Sequence, residues 1–287
     1  DGGGGGLNQV QVIKPKSREA YDVLAAQIHE LLPWSGEDAA SISAKATPQE
    51  IEAKALDWKN AMRLYAREDY YFLCRFVLLQ GDRKLADGTR ALDHPWLYAQ
   101  YKEYDRLDRE EGLHGLWLYH AREHYKTTRM QAKVLQYIFR DQNIRFGLYS
   151  RIKEPMAYER AAGIRLELEK NPLLHTLFPE ILWGPEPKQA GADDWGIGSF
   201  TVRRVGTGET MSEPTVRCCG IGNLYTGGHP DINIYDDCVD RENINADQTE
   251  RAVQAVQDSN KIIDSTKYGQ RWFVGTQYRS GDAYDKL

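Results

Sequence analysis

The stretch LWLYHAREHYKTT, residues 116–128, decides how the rest of the chain is read. LWLY (116–119) is short, bulky and apolar, which suits a buried strand. Thr127–Asp141 then carries a helical pattern, so 120–126 joins a strand to a helix. Two chemistries compete for that junction. As H-x-x-E-H, His120 and His124 share a helical face and hold zinc beside Glu123, provided that a helix already runs at 120 and a third ligand comes from a later one. As a strand–turn–helix unit, the same residues aim backbone N–H groups and a helix dipole at a phosphate. The usual pattern for the second is G-x-x-x-x-G-K-[ST]. Lys126 and Thr127 fill its last two places, while His120 and Tyr125 stand where the glycines belong. The strand before and the helix after favour the phosphate reading. In it the Lys126 ammonium contacts the β- and γ-phosphates and the Thr127 hydroxyl joins a Mg²⁺ shell.

Such a site needs an acid at the end of a second buried strand. DINIYDD (231–237) supplies Asp236, which holds Mg²⁺ directly or through water, and Asp237 beside it to polarise the attacking water. The alternative for this pair is a solvated turn.

The surrounding chain reads as α/β. Ser17–Leu32 is an amphipathic helix with Ser17 as its N-cap, and Pro33–Ala46 is a linker. Thr47-Pro48-Gln49-Glu50 is a capping box opening a helix towards Leu79. A turn-rich break covers 81–93, and a helix begins at His94-Pro95-Trp96. Beyond Gly112, strands at 144–150, 199–205, 214–220, 231–237 and 271–276 alternate with helices at 155–170 and 246–266, and 171–198 is irregular. That alternation predicts a largely parallel sheet flanked by helices. Asp1–Gly6 reads as a flexible tail or cloning scar, 7–93 as a mostly helical N-terminal or lid region, and 94–287 as the core.

Of the 287 residues 41% are hydrophobic, enough for a substantial core, and the net charge of −5 gives no bulk argument for nucleic acid. No apolar run reaches membrane-spanning length, and no signal peptide is expected. Cys74, Cys218, Cys219 and Cys238 form no C-x-x-C pair, and reduced thiols are expected.

Several segments in order along the chain resemble the large terminase subunits of tailed bacteriophages, the ATPases that package viral DNA, and among them NPLLHTLFPEILW (171–183) resembles the stretch before their sheet's outer strands. AREHYKTT resembles their Walker A segment, with Arg122 four residues before the lysine. EPTVRCCGIGNLYTGGHPDINIYDDCVDRENI (213–244) resembles the run through their Walker B strand. RWFVGTQYRSGDAY (271–284) resembles their coupling motif. REDYYFLCRFVLL (67–79) and HPWLY (94–98) resemble their adenine side. The resemblance spans about residues 65–287 and implies a P-loop NTPase of the RecA-like (ASCE) class, preceded by a helical subdomain. It implies ATP as substrate with Mg²⁺ as cofactor, and nucleotide contacts from Arg122, Glu123, His124, Tyr125, Lys126, Thr127 and Thr128. Arg122 offsets charge developing on the γ-phosphate, in cis or in trans. Asp237 or Glu242 is the catalytic acid, since the family often has glutamate directly after the Walker B aspartate. Thr276 senses the γ-phosphate. Tyr71, Phe72, His94 and Trp96 are adenine candidates. Arg203-Arg204 is a second candidate for a trans arginine, or else an exposed strand edge.

Implied partners are double-stranded DNA, a portal protein, a small terminase subunit and further copies in a ring, acting in the host cytoplasm and not at a membrane. The family's nuclease domain is not expected within this chain. Another P-loop ATPase or helicase, a nucleotide-binding module without turnover, and the zinc peptidase are the alternatives.

Overall fold

A computed structural model describes residues 14–32, 37, 39–79, 88, 90–108, 115–119, 124–150, 154–204, 212–221, 228–238, 246–264, 266–276 and 283–286. Ten α-helices and six strands are defined among them. The helices are α1 (Arg18–Glu30), α2 (Ala39–Lys45), α3 (Pro48–Glu68), α4 (Tyr70–Phe72), α5 (Pro95–Leu107), α6 (Lys126–Arg140), α7 (Glu154–Lys170), α8 (Pro172–Leu177), α9 (Ala246–Ser259) and α10 (Ala283–Lys286). The strands are β1 (Gly115–Tyr119), β2 (Phe146–Ser150), β3 (Ser199–Phe200), β4 (Val216–Gly220), β5 (Ile232–Asp236) and β6 (Gln270–Gly275).

The strands form one sheet in the order β1-β6-β5-β2-β4-β3. All pairings are parallel except that of the edge strand β3 with β4. Parallel strands are joined by crossovers of one hand, so connections running in opposite directions along the sheet put their helices on opposite faces. α6 and α7 follow β1 and β2, whose connections run one way. Met130, Val134, Ala157 and Ala161 from these helices pack with Leu148, Ile234, Trp272 and Val274 on one face. α9 follows β5, whose connection runs back to β6, and Val256 packs with Tyr149, Tyr235 and Phe273 on the other. Those three rings stack across three adjacent strands, with centroids 5.4 and 4.9 Å apart. Outgoing connections diverge between β2 and β5. In open α/β sheets the carboxyl ends of such a strand pair form the usual ligand crevice.

Gly147, in the amino-terminal half of β2, is a glycine for a steric reason. A Cβ there would fall 2.5 Å from Asn233 Oδ1 and 3.0 Å from the Tyr149 ring. Asn233 cannot easily yield, because its amide donates to the Ser259 carbonyl at 2.9 Å.

The helix expected from Thr47 to about Leu79 is real only to Glu68. Its capping box forms, with Glu50 N donating to Thr47 Oγ1 and Thr47 N to Glu50 Oε2. At Asp69 the backbone turns extended and the buried carboxylate caps a new turn by accepting from Phe72 N at 2.9 Å. Side-chain acceptors compete with the helical ladder in this way. The chain then winds as a π-helix over Leu73–Val77. The expected linker contains α2, and the expected irregular stretch contains α8, capped by Asn171 with proline at its first position. The strand expected over 199–205 pairs for two residues only. Beyond them Thr201, Val202 and Arg203 send their N–H groups to Asp194, Thr215 and Ile181. The helix expected to reach Thr266 stops at Ser259.

Packing is continuous across 93/94. Asp93 accepts from Tyr71 Oη at 2.9 Å and Arg75 Nη2 at 3.1 Å, and Tyr21, Tyr71, Tyr98 and Tyr101 form one edge-packed cluster. No helix among the described residues is long and apolar enough to cross a membrane. All four cysteines are free thiols. The expected tail, residues 1–6, lies outside the described residues.

At the amino ends of β2 and β5, Arg145 gathers three carboxylates: Glu213 at 2.8 Å, Asp231 at 3.0 Å and Asp264 at 2.7 Å. The Asp264 carboxyl is held down at about 2 by the Thr266 hydroxyl and amide and then by Arg145. A carboxyl depressed in the folded state from about 3.9 adds stability that is complete above about pH 4 and disappears as the pH falls to about 2. Asp264→Asn should therefore flatten the loss of stability across that interval, as followed by urea unfolding at stepped pH. An unchanged acid slope would show that the clamp carries none of it. Gly147→Ala should cost about 1–3 kcal/mol by overpacking, read from the urea midpoint.

Candidate functional site

β1 ends at Tyr119 and α6 begins at Lys126. The residue before that helix, Tyr125, is left-handed, with φ 55 and ψ 24. An L-residue with a side chain pays about 1–2 kcal/mol for this conformation, which glycine adopts freely. Tyr125 thus takes the backbone shape for which the usual phosphate-loop pattern keeps a glycine. The helix it introduces also differs from the other α-helices whose capping residue is described. α1, α3, α4, α5 and α8 each receive a side-chain N-cap, from Ser17, Thr47, Asp69, His94 and Asn171. α6 has no side-chain cap and no acid in its first turn. Its amino terminus therefore presents N–H groups and a positive dipole end with no acid in the helix's own first turn.

Strand order brings three chain segments to this terminus. β6 lies between β1 and β5, so Thr276, just past β6, stands beside Lys126. Lys126 Nζ donates to Thr276 Oγ1 at 2.9 Å. Thr127 Oγ1 lies 3.4 Å from Asp236 Oδ1 at the end of β5. Asp236 is fully buried, and its main-chain carbonyl accepts from Ser150 Oγ at 2.8 Å, from the end of β2. Asp237 follows in a left-handed conformation, φ 49, pinned by its N–H to the Val274 carbonyl at 2.7 Å. Of the three non-glycine residues with positive φ among the described residues, two, Tyr125 and Asp237, flank the same site. Backbone strain held in this way concentrates where geometry serves a function.

A fourth segment was not legible from motifs. Arg160, on α7, places Nε 2.6 Å from Asp236 Oδ2 and Nη2 3.5 Å from Asp237 Oδ2. The short contact lacks hydrogen-bond alignment, and Asp236 Oδ2 has no hydrogen-bond donor. Burial pushes the Asp236 carboxyl up to about 6, and the opposing pull of Arg160 does not cancel it. No local pattern marks Arg160, which sits mid-helix among other charges. Ser150 had a faint signal as a polar residue closing an apolar strand.

Lys126, Thr127, Asp236, Asp237 and Thr276 are thus together at the carboxyl ends of neighbouring strands, and Tyr125 and Thr128 flank the Lys126-Thr127 pair along the chain. Arg122, Glu123 and Glu242 lie outside the described residues, as does His120. His124 precedes α6 and packs edge-on against Trp96, ring centroids 5.4 Å apart. The helical face needed for a zinc pair does not include it. No group of three or more metal-ligating side chains of the His, Cys, Asp and Glu types occurs among the described residues. The adenine candidates separate: Tyr71 and Phe72 are buried in the core and His94 caps α5, leaving Trp96 exposed beside the loop. Arg203 and Arg204 do not form a free edge. Arg203 donates to the Pro179 carbonyl, and Arg204 to those of Gln142 and Glu213.

No protein-family model matches the sequence, and no curated protein matches it.

The strain at Tyr125 can be isolated by two substitutions that remove the same ring. Tyr125→Gly should be more stable than Tyr125→Ala by roughly 0.5–1 kcal/mol, the reverse of the usual order within helices. Equal midpoints in urea would mean that the left-handed turn is absent in solution.

Proposed function

We propose that this protein is a P-loop ATPase with a RecA-like core, of the kind found in the large terminase subunits of tailed bacteriophages. In this reading it hydrolyses ATP to drive double-stranded DNA into a procapsid, in the host cytoplasm. One observation carries the reading: Lys126, Thr127, Asp236, Asp237 and Thr276, from three separated segments, converge on the uncapped start of α6. The strand order is compatible with a RecA-like core. The DNA-packaging assignment rests on the ordered sequence motifs, as do the portal, the small subunit and the ring of copies.

The residues fit a hard divalent cation. Asp236 offers a buried carboxylate with one oxygen lacking a hydrogen-bond donor, next to a threonine hydroxyl, an all-oxygen set of the type Mg²⁺ takes while keeping several waters. Thr127 and Asp236 would hold it, and bound there it neutralises charge on the β- and γ-phosphates. Lys126 transfers its hydrogen bond from Thr276 to the phosphate oxygens. The α6 N–H groups cradle the same anion. Asp237, held at a fixed angle by its bond to β6, accepts a proton from the attacking water and so orients it. Thr276 regains Lys126 once the γ-phosphate has gone, which links the state of the nucleotide to β6. Trp96 is the exposed ring best placed to meet a base.

The test is calorimetric titration of a non-hydrolysable ATP analogue with Mg²⁺. Saturable binding that Lys126→Ala weakens about tenfold or more, some 1.4 kcal/mol, is the expected result. Binding that ignores Lys126, or none at all, would overturn the assignment.

A further inference from the structure

The Arg160 contact differs from an ordinary structural ion pair. Buried arginine–carboxylate pairs are normally forked and aligned, with two N–H groups on two oxygens. Here Nε sits 2.6 Å from Asp236 Oδ2 without alignment, and Nη2 reaches Asp237 only at 3.5 Å. Asp236 is fully buried, while the Arg160 side chain keeps 22% of its exposure. The arginine therefore enters from the solvent side and answers a charge that cannot reach water. Its backbone, by contrast, is fixed. The Arg160 carbonyl accepts from Gln131 Nε2 of α6 at 2.9 Å, and a Cβ on Gly163 would fall 2.3 Å from that same amide. α7 is thus seated tightly on α6, and the Arg160 side chain alone extends to Asp236.

We propose that Arg160 is a resident counter-cation of the acidic pair: its guanidinium stands at Asp236 in the place that a divalent metal takes, and loading the metal requires that it withdraw. This deepens the ATPase reading and rests on it for the identity of the metal's companion, a nucleoside triphosphate. A buried carboxylate left alone is costly, and a mobile cation on a fixed helix satisfies it without closing the site. A divalent ion has twice the charge and takes oxygen ligands at shorter range, so it displaces a misaligned guanidinium. The withdrawn arginine, tethered to α7, remains beside the site. Arg160 is accordingly a positioning residue that sets how much free metal the site needs.

The test uses Mn²⁺ as the probe, with binding to the full chain read by electron paramagnetic resonance, first without nucleotide. Asp236→Asn identifies the site by abolishing the signal. Arg160→Gln should tighten Mn²⁺ binding about tenfold or more, and Arg160→Lys, which keeps the charge but cannot span both carboxylates, should fall between. Unchanged or weakened binding in Arg160→Gln would overturn the proposal, since a purely structural arginine would leave the acids less ordered. Should Arg160→Gln fail to fold, Arg160→Lys carries the same comparison: tighter binding supports competition, and equal or weaker binding refutes it. The titration is then repeated with the non-hydrolysable ATP analogue. Tighter Mn²⁺ binding in Arg160→Gln alongside no analogue binding in any variant would sink the ATPase reading while leaving the counter-cation in place.

Discussion

A carboxylate with no access to water is among the most expensive groups a protein can enclose, and the architecture around Asp236 is organised by that cost. Its position at the end of a central parallel strand, covered by helices on both faces, removes solvent. Compensation must then come from groups carried by other elements. Thr127 arrives from α6, Ser150 from β2 and Arg160 from α7, while Lys126 adds its charge from the first residue of α6. None of these is a neighbour of Asp236 in sequence. Each is near because the strand order places the ends of β1, β6, β5 and β2 side by side.

The start of α6 has to be rigid for this to hold, and the N-terminal helices brace it. Tyr70 Oη donates to the Arg129 carbonyl, and Arg67 and Arg140 exchange bonds with the backbones of Phe139 and Arg67. The Arg129 guanidinium is wholly buried and lies over the rings of Tyr101 and Tyr104, 5.2 and 4.7 Å from their centroids. Further along, Asp108 at the end of α5 takes Lys133 at 2.9 Å and also Arg140. Burial alone would raise the Asp108 carboxyl, but these two cations outweigh it and hold it well below the usual range. α6 is therefore clamped by α3, α4 and α5 along its length, and the helices before residue 94 are part of the site's foundation.

How far all this was legible follows from what each interaction needs. The strand–turn–helix at 115–140 could be read because its signals are local: an apolar run, a Lys-Thr pair, then helical periodicity. The same holds for the Thr47 cap and for acids at the end of β5. Asp69 was opaque, because the partners that hold its buried carboxylate, Tyr21 and Lys102, reach it from distant parts of the chain. The early exit of 201–204 from the sheet depends on acceptors at Asp194, Ile181 and Thr215. Tyr125 was read as a defect in the glycine pattern. A sequence shows the residue type and not the dihedral, and only the structure reveals that the left-handed turn is kept at a cost. Arg160 needed the docking of α7 on α6, which no spacing rule encodes.

The bond from Lys126 to Thr276 joins residues 150 positions apart, and β6 is the strand wedged between the other two that build the site. Synthesis runs from the amino terminus, so β1, α6, β2 and β5 leave the ribosome before β6 exists. Until then β1 has no partner among the described strands, where its one pairing is with β6. The nascent chain can collapse its helices and pair β2 with β5, yet it has no seat for Lys126 and no completed acidic corner. In a sheet arranged in this order, the corner around Lys126 and Asp236 closes only once β6 is in place.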